Sequence, residues 1–148
     1  MESTDVAKRL TPCGLDCERC ADYDHGEIRR LSLRLLELLG NYQRVAKLKA
    51  SGRPEFEHYG EFDKILRLFS QGACGGCRSD KLQCPIACPF ENCRGKGIDF
   101  CFQCPDYPCE KLSAGPFGEN VRRRNDRLKE IGIIPYFEER MNEPRYPK

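Results

Sequence analysis

Residues 74–109 read CGGCRSDKLQCPIACPFENCRGKGIDFCFQCPDYPC, and eight of these 36 residues are cysteine. Ordering the backbone of such a stretch costs on the order of 40–50 kcal/mol. The stretch has seven bulky apolar side chains, and burying each of them contributes about 2 kcal/mol. Because this burial cannot offset the loss of entropy, the stretch needs cross-links, which are either disulfides or metal ions.

The spacing of the cysteines favours metal over disulfides. Cys74 and Cys77 form one Cys-x2-Cys pair, and Cys101 and Cys104 form another. Two thiolates at this spacing fit one tetrahedral ion at metal–sulfur distances of about 2.3 Å. A disulfide instead requires the two Cβ atoms to approach to about 3.8 Å. The chain also contains 11 cysteines, an odd number that fits complete disulfide pairing poorly.

The eight cysteines of residues 74–109 divide into two Cys₄ sets in two favoured ways. In the sequential partition, one ion takes Cys74, Cys77, Cys84 and Cys88, and the other takes Cys93, Cys101, Cys104 and Cys109. In the interleaved partition, the two Cys-x2-Cys pairs share one ion and the remaining four cysteines share the second. Shorter loops cost less entropy to close, which favours the sequential partition.

A third group lies near the N-terminus, where Cys13, Cys17 and Cys20 follow a Cys-x3-Cys-x2-Cys pattern. A closed zinc site needs four ligands, so this trio needs one more. Either His25 or a cysteine from the central stretch would close the site. A third alternative leaves one coordination position open to water or substrate, as in a metal-dependent enzyme. We therefore predict two or three zinc ions, with all eleven cysteines as metal ligands.

An iron–sulfur cluster is the alternative to zinc. Proline follows Cys84, Cys88 and Cys104, as it follows cysteine in ferredoxin sequences, but the complete ferredoxin run of cysteines is missing. The N-terminal pattern also resembles the cluster motif of radical S-adenosylmethionine enzymes. Those enzymes carry the motif on a partial β/α barrel, and this sequence shows no alternation of strands and helices. The sequence therefore predicts zinc first and an iron–sulfur redox protein second.

Charge and hydropathy limit the compartment and the partners. The formal net charge of +2 is too close to neutral to indicate nucleic acid. No apolar run approaches the roughly 18 residues of a membrane span, and no apolar signal-peptide core is visible near the N-terminus. We therefore expect a cytoplasmic protein with reduced thiols. Nucleic-acid and membrane partners are not expected, whereas a protein partner of unknown identity fits the composition.

Helical spacing of apolar residues accounts for most of the remaining chain. It predicts one helix from Glu27 to Leu39, a shorter one near residues 42–48, one between Pro54 and Gly72, and two within residues 118–142. The predicted fold class is mainly α, with a small α+β fold as the alternative. We expect a helical core, formed by residues 27–72 and 118–142, that packs with a Cys-rich, loop-dominated metal-binding module. The expected single domain, 1–148, comprises an N-terminal cysteine cluster (12–25), a helical core (26–72), a Cys-rich module (73–112) and C-terminal helices with a tail (118–148).

Three motifs carry a resemblance to one family. They are CGLDC from Cys13 to Cys17 with Cys20 following, CGGCR from Cys74, and FQCPDYPCEKL over residues 102–112. Together they resemble a cysteine-rich prokaryotic family that is catalogued as a domain of unknown function, number thirty-seven ninety-five, and regarded as zinc-binding. The resemblance implies a small single-domain cytoplasmic protein whose motif cysteines are metal ligands, and it implies no activity. The predicted function is a zinc-binding interaction module with structural metal sites.

Overall fold

The computed structural model of the protein describes residues 3–84, 95–115 and 117–148. Within these ranges the helices are α1 Ser3–Arg9, α2 Glu27–Leu39, α3 Gln43–Lys49, α4 Tyr59–Gln71, α5 Glu110–Ala114, α6 Gly118–Ile131 and α7 Ile133–Asn142. Two 3₁₀ turns cover Pro54–His58 and Cys101–Gln103. The β-pairing found in the described ranges consists of two isolated bridges. The predicted mainly α class is therefore confirmed, and no described helix is long and apolar enough to cross a membrane.

Residues 27–71 form a helical arm, in which α2 packs along α4, and α3 and the first 3₁₀ turn connect the two. Gly40 and Gly72 end α2 and α4 with φ angles of 48° and 61°, as predicted from the preference of helix C-termini for glycine. Few side chains of the arm are buried, and many of its apolar side chains are exposed. Leu38 is 66% exposed, Leu48 80% and Leu68 63%.

The main hydrophobic core lies outside the arm, in a body made of α1, the cysteine-bearing loops, α5, α6 and α7. It consists of Val6, Ala7, Leu10, Phe100, Leu128, Tyr136 and Phe137. Among the described residues, neither of the two buried apolar clusters contains a residue of the arm. Of the two ranges expected in the helical core, residues 118–142 supply Leu128, Tyr136 and Phe137 to the main cluster, whereas residues 27–72 lie outside it. Each arm helix buries only the stripe that faces the other helix, so the rest of its apolar surface stays uncovered.

The second buried cluster brings two cysteine-bearing loops onto helix α6. Cys13, Leu15, Leu112 and Val121 form this cluster, and Cys101, Tyr107 and Cys109 pack against it. Asn125 on α6 is fully buried and holds both loops. Its Oδ1 accepts a hydrogen bond from the Phe102 N–H at 3.0 Å, and its Nδ2 donates to the Pro12 carbonyl at 3.2 Å. One amide side chain therefore fixes the two loops relative to each other.

Candidate metal centre

The N-terminal cysteine loop is a tight, buried turn. The Thr11 N–H donates to the Leu15 carbonyl at 2.6 Å, and the Leu15 N–H donates to Thr11 Oγ1 at 2.9 Å. Gly14 has a φ of 79°, and a Cβ atom at this position would lie 2.8 Å from Arg124 Cβ. Only glycine meets both requirements, since L residues rarely adopt this conformation and a side chain would clash with α6. The loop that carries Cys13 is therefore closely fitted to α6.

A short backbone pairing brings the Cys74–Cys77 turn to the N-terminal loop. Tyr23 and Cys74 form an isolated parallel bridge. The Cys74 N–H donates to the Asp22 carbonyl at 2.8 Å, and the Asp24 N–H donates to the Cys74 carbonyl at 2.9 Å. Because main-chain atoms make this pairing, the side-chain pattern of the sequence gives little indication of it.

Six cysteines line one small cavity of about 50 Å³, which we call the cysteine cavity. They are Cys13, Cys17, Cys20, Cys74, Cys77 and Cys84. Three of them are buried and three are half-buried. The six residues come from two segments that are far apart in sequence, so the fold collects thiols that the sequence separates. All nine described cysteines carry thiols rather than disulfides.

Polar groups lie near three of the cavity's sulfur atoms. A hydrogen bond with Cys77 lowers the pKa of Cys17 to about 7 against the opposing effect of burial, and the nearby Arg145 guanidinium lowers it further. The Gly76 N–H donates to Cys74 Sγ at 3.4 Å. The Tyr146 hydroxyl lies 3.8 Å from Cys20 Sγ. Hydrogen bonds to a charged sulfur favour that charged form, which is also the form that binds metal.

The cavity gathers thiols without arranging them as a finished ligand set. Among the described residues, no three His, Cys, Asp or Glu side chains lie close enough together to hold one ion. His25 does not line the cavity. Its side chain is 80% exposed, with Nε2 3.6 Å from Asp24 Oδ1. Two ways to close the N-terminal trio were predicted, through His25 or through a central cysteine. The structure brings central cysteines close to the trio and leaves His25 outside the cavity.

The described cysteines of the central stretch fall into the two groups of the sequential partition, with one difference, which is that the first group also lies beside the N-terminal trio. Cys74, Cys77 and Cys84 lie with the N-terminal trio. Cys101, Cys104 and Cys109 do not line the cysteine cavity, and Lys96 Nζ lies 3.7 Å from Cys104 Sγ. The difference arises because the Tyr23–Cys74 bridge draws the first Cys-x2-Cys turn towards the N-terminus. Cys88 and Cys93 lie outside the described residues.

Sequence reasoning missed one pairing that the sequence itself contains. Cys17 and Cys20 are also a Cys-x2-Cys pair, and they line the same cavity as Cys74 and Cys77. Reading the first three cysteines only as a trio hid this second pair. The contributions of Arg145 and Tyr146 depend on the path of the C-terminal tail and have no comparable signal in the sequence.

The comparisons with known proteins bear on these same cysteines. The family model described as "Protein of unknown function (DUF3795)" matches residues 9–114, a range that contains all eleven cysteines and ends before α6. No curated protein and no solved structure matches the chain. Since the family model covers well over half of the chain, the resemblance predicted from the three motifs is confirmed, and the protein belongs to the DUF3795 family.

Proposed function

We propose that the protein binds zinc through Cys17, Cys20, Cys74 and Cys77, as a structural site within a binding or interaction module. The observation that carries this proposal is the presence of two Cys-x2-Cys pairs at one cavity. A Cβ atom at Gly76, within the second pair, would lie 3.8 Å from Cys17 Sγ of the first pair. Two such pairs supply the four thiolates of a tetrahedral zinc site.

The surroundings of these thiols support metal binding. The lowered pKa of Cys17, to which the Arg145 guanidinium contributes, reduces the cost of forming its thiolate. Hydrogen-bond donors lie near two other proposed ligands, the Gly76 N–H at Cys74 and the Tyr146 hydroxyl at Cys20. Because no three ligand side chains of the described residues lie at binding distance, loading the four-ligand site has to draw at least two thiols inward.

Zinc at this position would stabilise the region where apolar burial is scarce. It would join the N-terminal loop to residues 74–84, which are otherwise held there by the isolated β-bridge at Tyr23 and Cys74 and by hydrogen bonds such as those from Arg78 to the N-terminal main chain. Structural zinc contributes roughly 10–16 kcal/mol in zinc-finger peptides. A full set of cysteine ligands favours this structural role over the open coordination position of a zinc enzyme.

The remaining thiols bear on the metal count and on the alternative cofactor. Cys101, Cys104 and Cys109 provide three thiols for a second zinc site. The sequential partition assigns its fourth ligand to Cys93, which lies outside the described residues. The cysteine cavity offers six thiols where one zinc ion needs four. This surplus keeps an iron–sulfur cluster as the second candidate, since such clusters are also held by four cysteine thiolates.

Elemental analysis and visible spectroscopy of protein purified without oxygen test the proposal. We expect a colourless protein that contains zinc, and Cys20→Ser and Cys74→Ser should each lose one equivalent. Cys13→Ser is the matched control, because it removes a thiol of the same cavity that lies outside the proposed ligand set. An equal loss in Cys13→Ser would move the site to the N-terminal trio. A brown, iron-containing protein, or one without stoichiometric metal, would contradict the zinc proposal.

A further inference from the structure

A larger cavity of about 810 Å³ lies beside the cysteine cavity, between α6, α7 and the C-terminal tail. Five arginines line it, against three carboxylates. The arginines are Arg123, Arg124, Arg127, Arg140 and Arg145, and we call this space the arginine cavity. All five lie beyond the residues that the family model matches. Proteins hold small organic molecules in cavities of about 300–1,000 Å³, so the size suits such a ligand.

The carboxylates of the body do not neutralise all of these arginines. Arg127 pairs with Glu130 and Glu139, and Arg140 pairs with Glu143 at 2.6 Å. In contrast, Arg123 and Arg124 have no carboxylate within ion-pair distance in the described part of the chain. The cavity therefore keeps an excess of positive charge after its internal pairs are counted.

Arg124 carries the clearest sign of uncompensated charge. Its side chain is half-buried, and its Nε donates to the Cys13 carbonyl at 2.9 Å. The guanidinium groups of Arg140 and Arg145 lie close enough to interact with its charge. These two neighbours are themselves well covered, with side chains that are 12% and 14% exposed. Removing water from like charges is costly, and a bound anion reduces that cost.

Arg140 provides an independent observation at the same cavity. Its Nε is buried and has no hydrogen-bond partner in the described part of the protein. A buried, unsatisfied donor on a charged group costs more than a neutral one. This unmet donor adds to the positive charge at the cavity wall, where Arg123 and Arg124 have no carboxylate partner among the described residues. An oxyanion in the cavity would compensate that charge.

We propose that the arginine cavity binds an organic molecule that carries a phosphate or carboxylate group. The planar fork of a guanidinium matches either group through paired hydrogen bonds. Phe117, Tyr136 and Tyr146 also line the cavity and give the non-polar part of the ligand an apolar surface. The proposal depends on the arginines and does not require a metal. Because Cys20 and Cys84 line both cavities, the bound molecule would lie beside the cysteine cavity.

Isothermal titration calorimetry with phenyl phosphate tests this proposal on the full chain. Ionic strength is held constant with sodium chloride, so that unspecific charge effects cancel. We expect saturable one-to-one binding with a Kd below about 10 mM. Arg123→Gln and Arg124→Lys should each weaken binding about tenfold, because the first loses the charge and the second loses the paired donors. Arg122→Gln is the matched control, since Arg122 immediately precedes Arg123 on α6 and does not line the cavity.

The outcome depends on the contrast between these variants, with helix content checked by circular dichroism. The proposal holds when either cavity variant weakens binding about tenfold while Arg122→Gln binds as the unmodified protein does. The absence of saturable binding overturns it. An equal loss in Arg122→Gln also overturns it, because binding would then follow overall charge. Unchanged binding in both cavity variants overturns it as well.

Discussion

The helical arm and the body reach their structures in opposite ways. The arm has long regular helices, yet it leaves apolar side chains such as Leu38 and Leu48 mostly exposed. The body contains irregular cysteine loops, yet it buries Phe100 and Leu10 almost completely. Amphipathic periodicity therefore predicted where helices form and did not predict which apolar faces are covered. In the body, coverage comes from loops that are tied to α6 and α7 by specific hydrogen bonds.

Metal removal should separate the two regions most strongly. If zinc joins the N-terminal loop to residues 74–84, then chelation should lower protection from hydrogen exchange in those loops at least about a hundredfold. The arm helices, whose described residues do not line the cysteine cavity, should change much less. Hydrogen-exchange mass spectrometry before and after chelation measures both regions at once. Equal loss of protection in the arm would show that the two regions unfold together.

Deletion of a core aromatic residue should have the next largest effect. Phe100 is fully buried, and its ring stacks on Phe102 with centroids 5.9 Å apart. Phe100→Ala should therefore lower the free energy of unfolding by about 3–5 kcal/mol. Phe62→Ala is the arm counterpart, and because Phe62 is 44% exposed, it should cost roughly 1 kcal/mol. Urea unfolding monitored by circular dichroism gives both values, and equal costs would remove the distinction between core and arm.

The sequence predicted local structure better than long-range placement. The bounds of α2 and the glycines that end α2 and α4 follow from patterns within a few residues. Helix α1 was missed because it has seven residues, and the two core side chains that it carries, Val6 and Ala7, are too few to show a period. The sequence left open whether His25 or a central cysteine lies with the N-terminal trio, because main-chain atoms form the bridge at Tyr23 and Cys74 that brings the two segments together.

Asn125→Ala should weaken the body through hydrogen bonds rather than through volume. The substitution leaves the Phe102 N–H without its partner, whereas the Pro12 carbonyl keeps the hydrogen bond that it accepts from the Cys101 N–H. An orphaned buried group costs about 1–3 kcal/mol, so we expect a loss of that size in the free energy of unfolding. Asn120→Ala, at an exposed position of the same helix, is the control and should change it by less than about 0.5 kcal/mol.

Tyr136→Phe should have a smaller effect that depends on pH. The Tyr136 hydroxyl donates to the Gly14 carbonyl at 2.6 Å, so its removal should cost about 1–1.5 kcal/mol at neutral pH. Burial raises the pKa of Tyr136 to about 12, above the value of about 10 in an unfolded chain. The contribution of the protonated hydroxyl is therefore complete below about pH 10 and is lost as the pH rises towards 12.

The measurement compares the free energy of unfolding of the two proteins from about pH 9 to about pH 11.5, within the range where Tyr136 titrates. The unmodified protein should lose stability more steeply than Tyr136→Phe, so the difference between them should shrink. A constant difference over this range would show that the hydroxyl does not titrate with a raised pKa. The thiols titrate in both proteins and cancel in the comparison.

The smallest expected effect lies in the arm and decides whether its apolar surface is free. Leu48 is 80% exposed on α3, so Leu48→Gln should change the free energy of unfolding by less than about 0.5 kcal/mol. Leu10→Ala, at a core position that is 1% exposed, is the contrast and should cost about 2–5 kcal/mol. Thermal unfolding at several protein concentrations measures both. If Leu48→Gln costs more than about 1 kcal/mol, and more so at high concentration, then another molecule covers α3, because burial in an assembly depends on concentration.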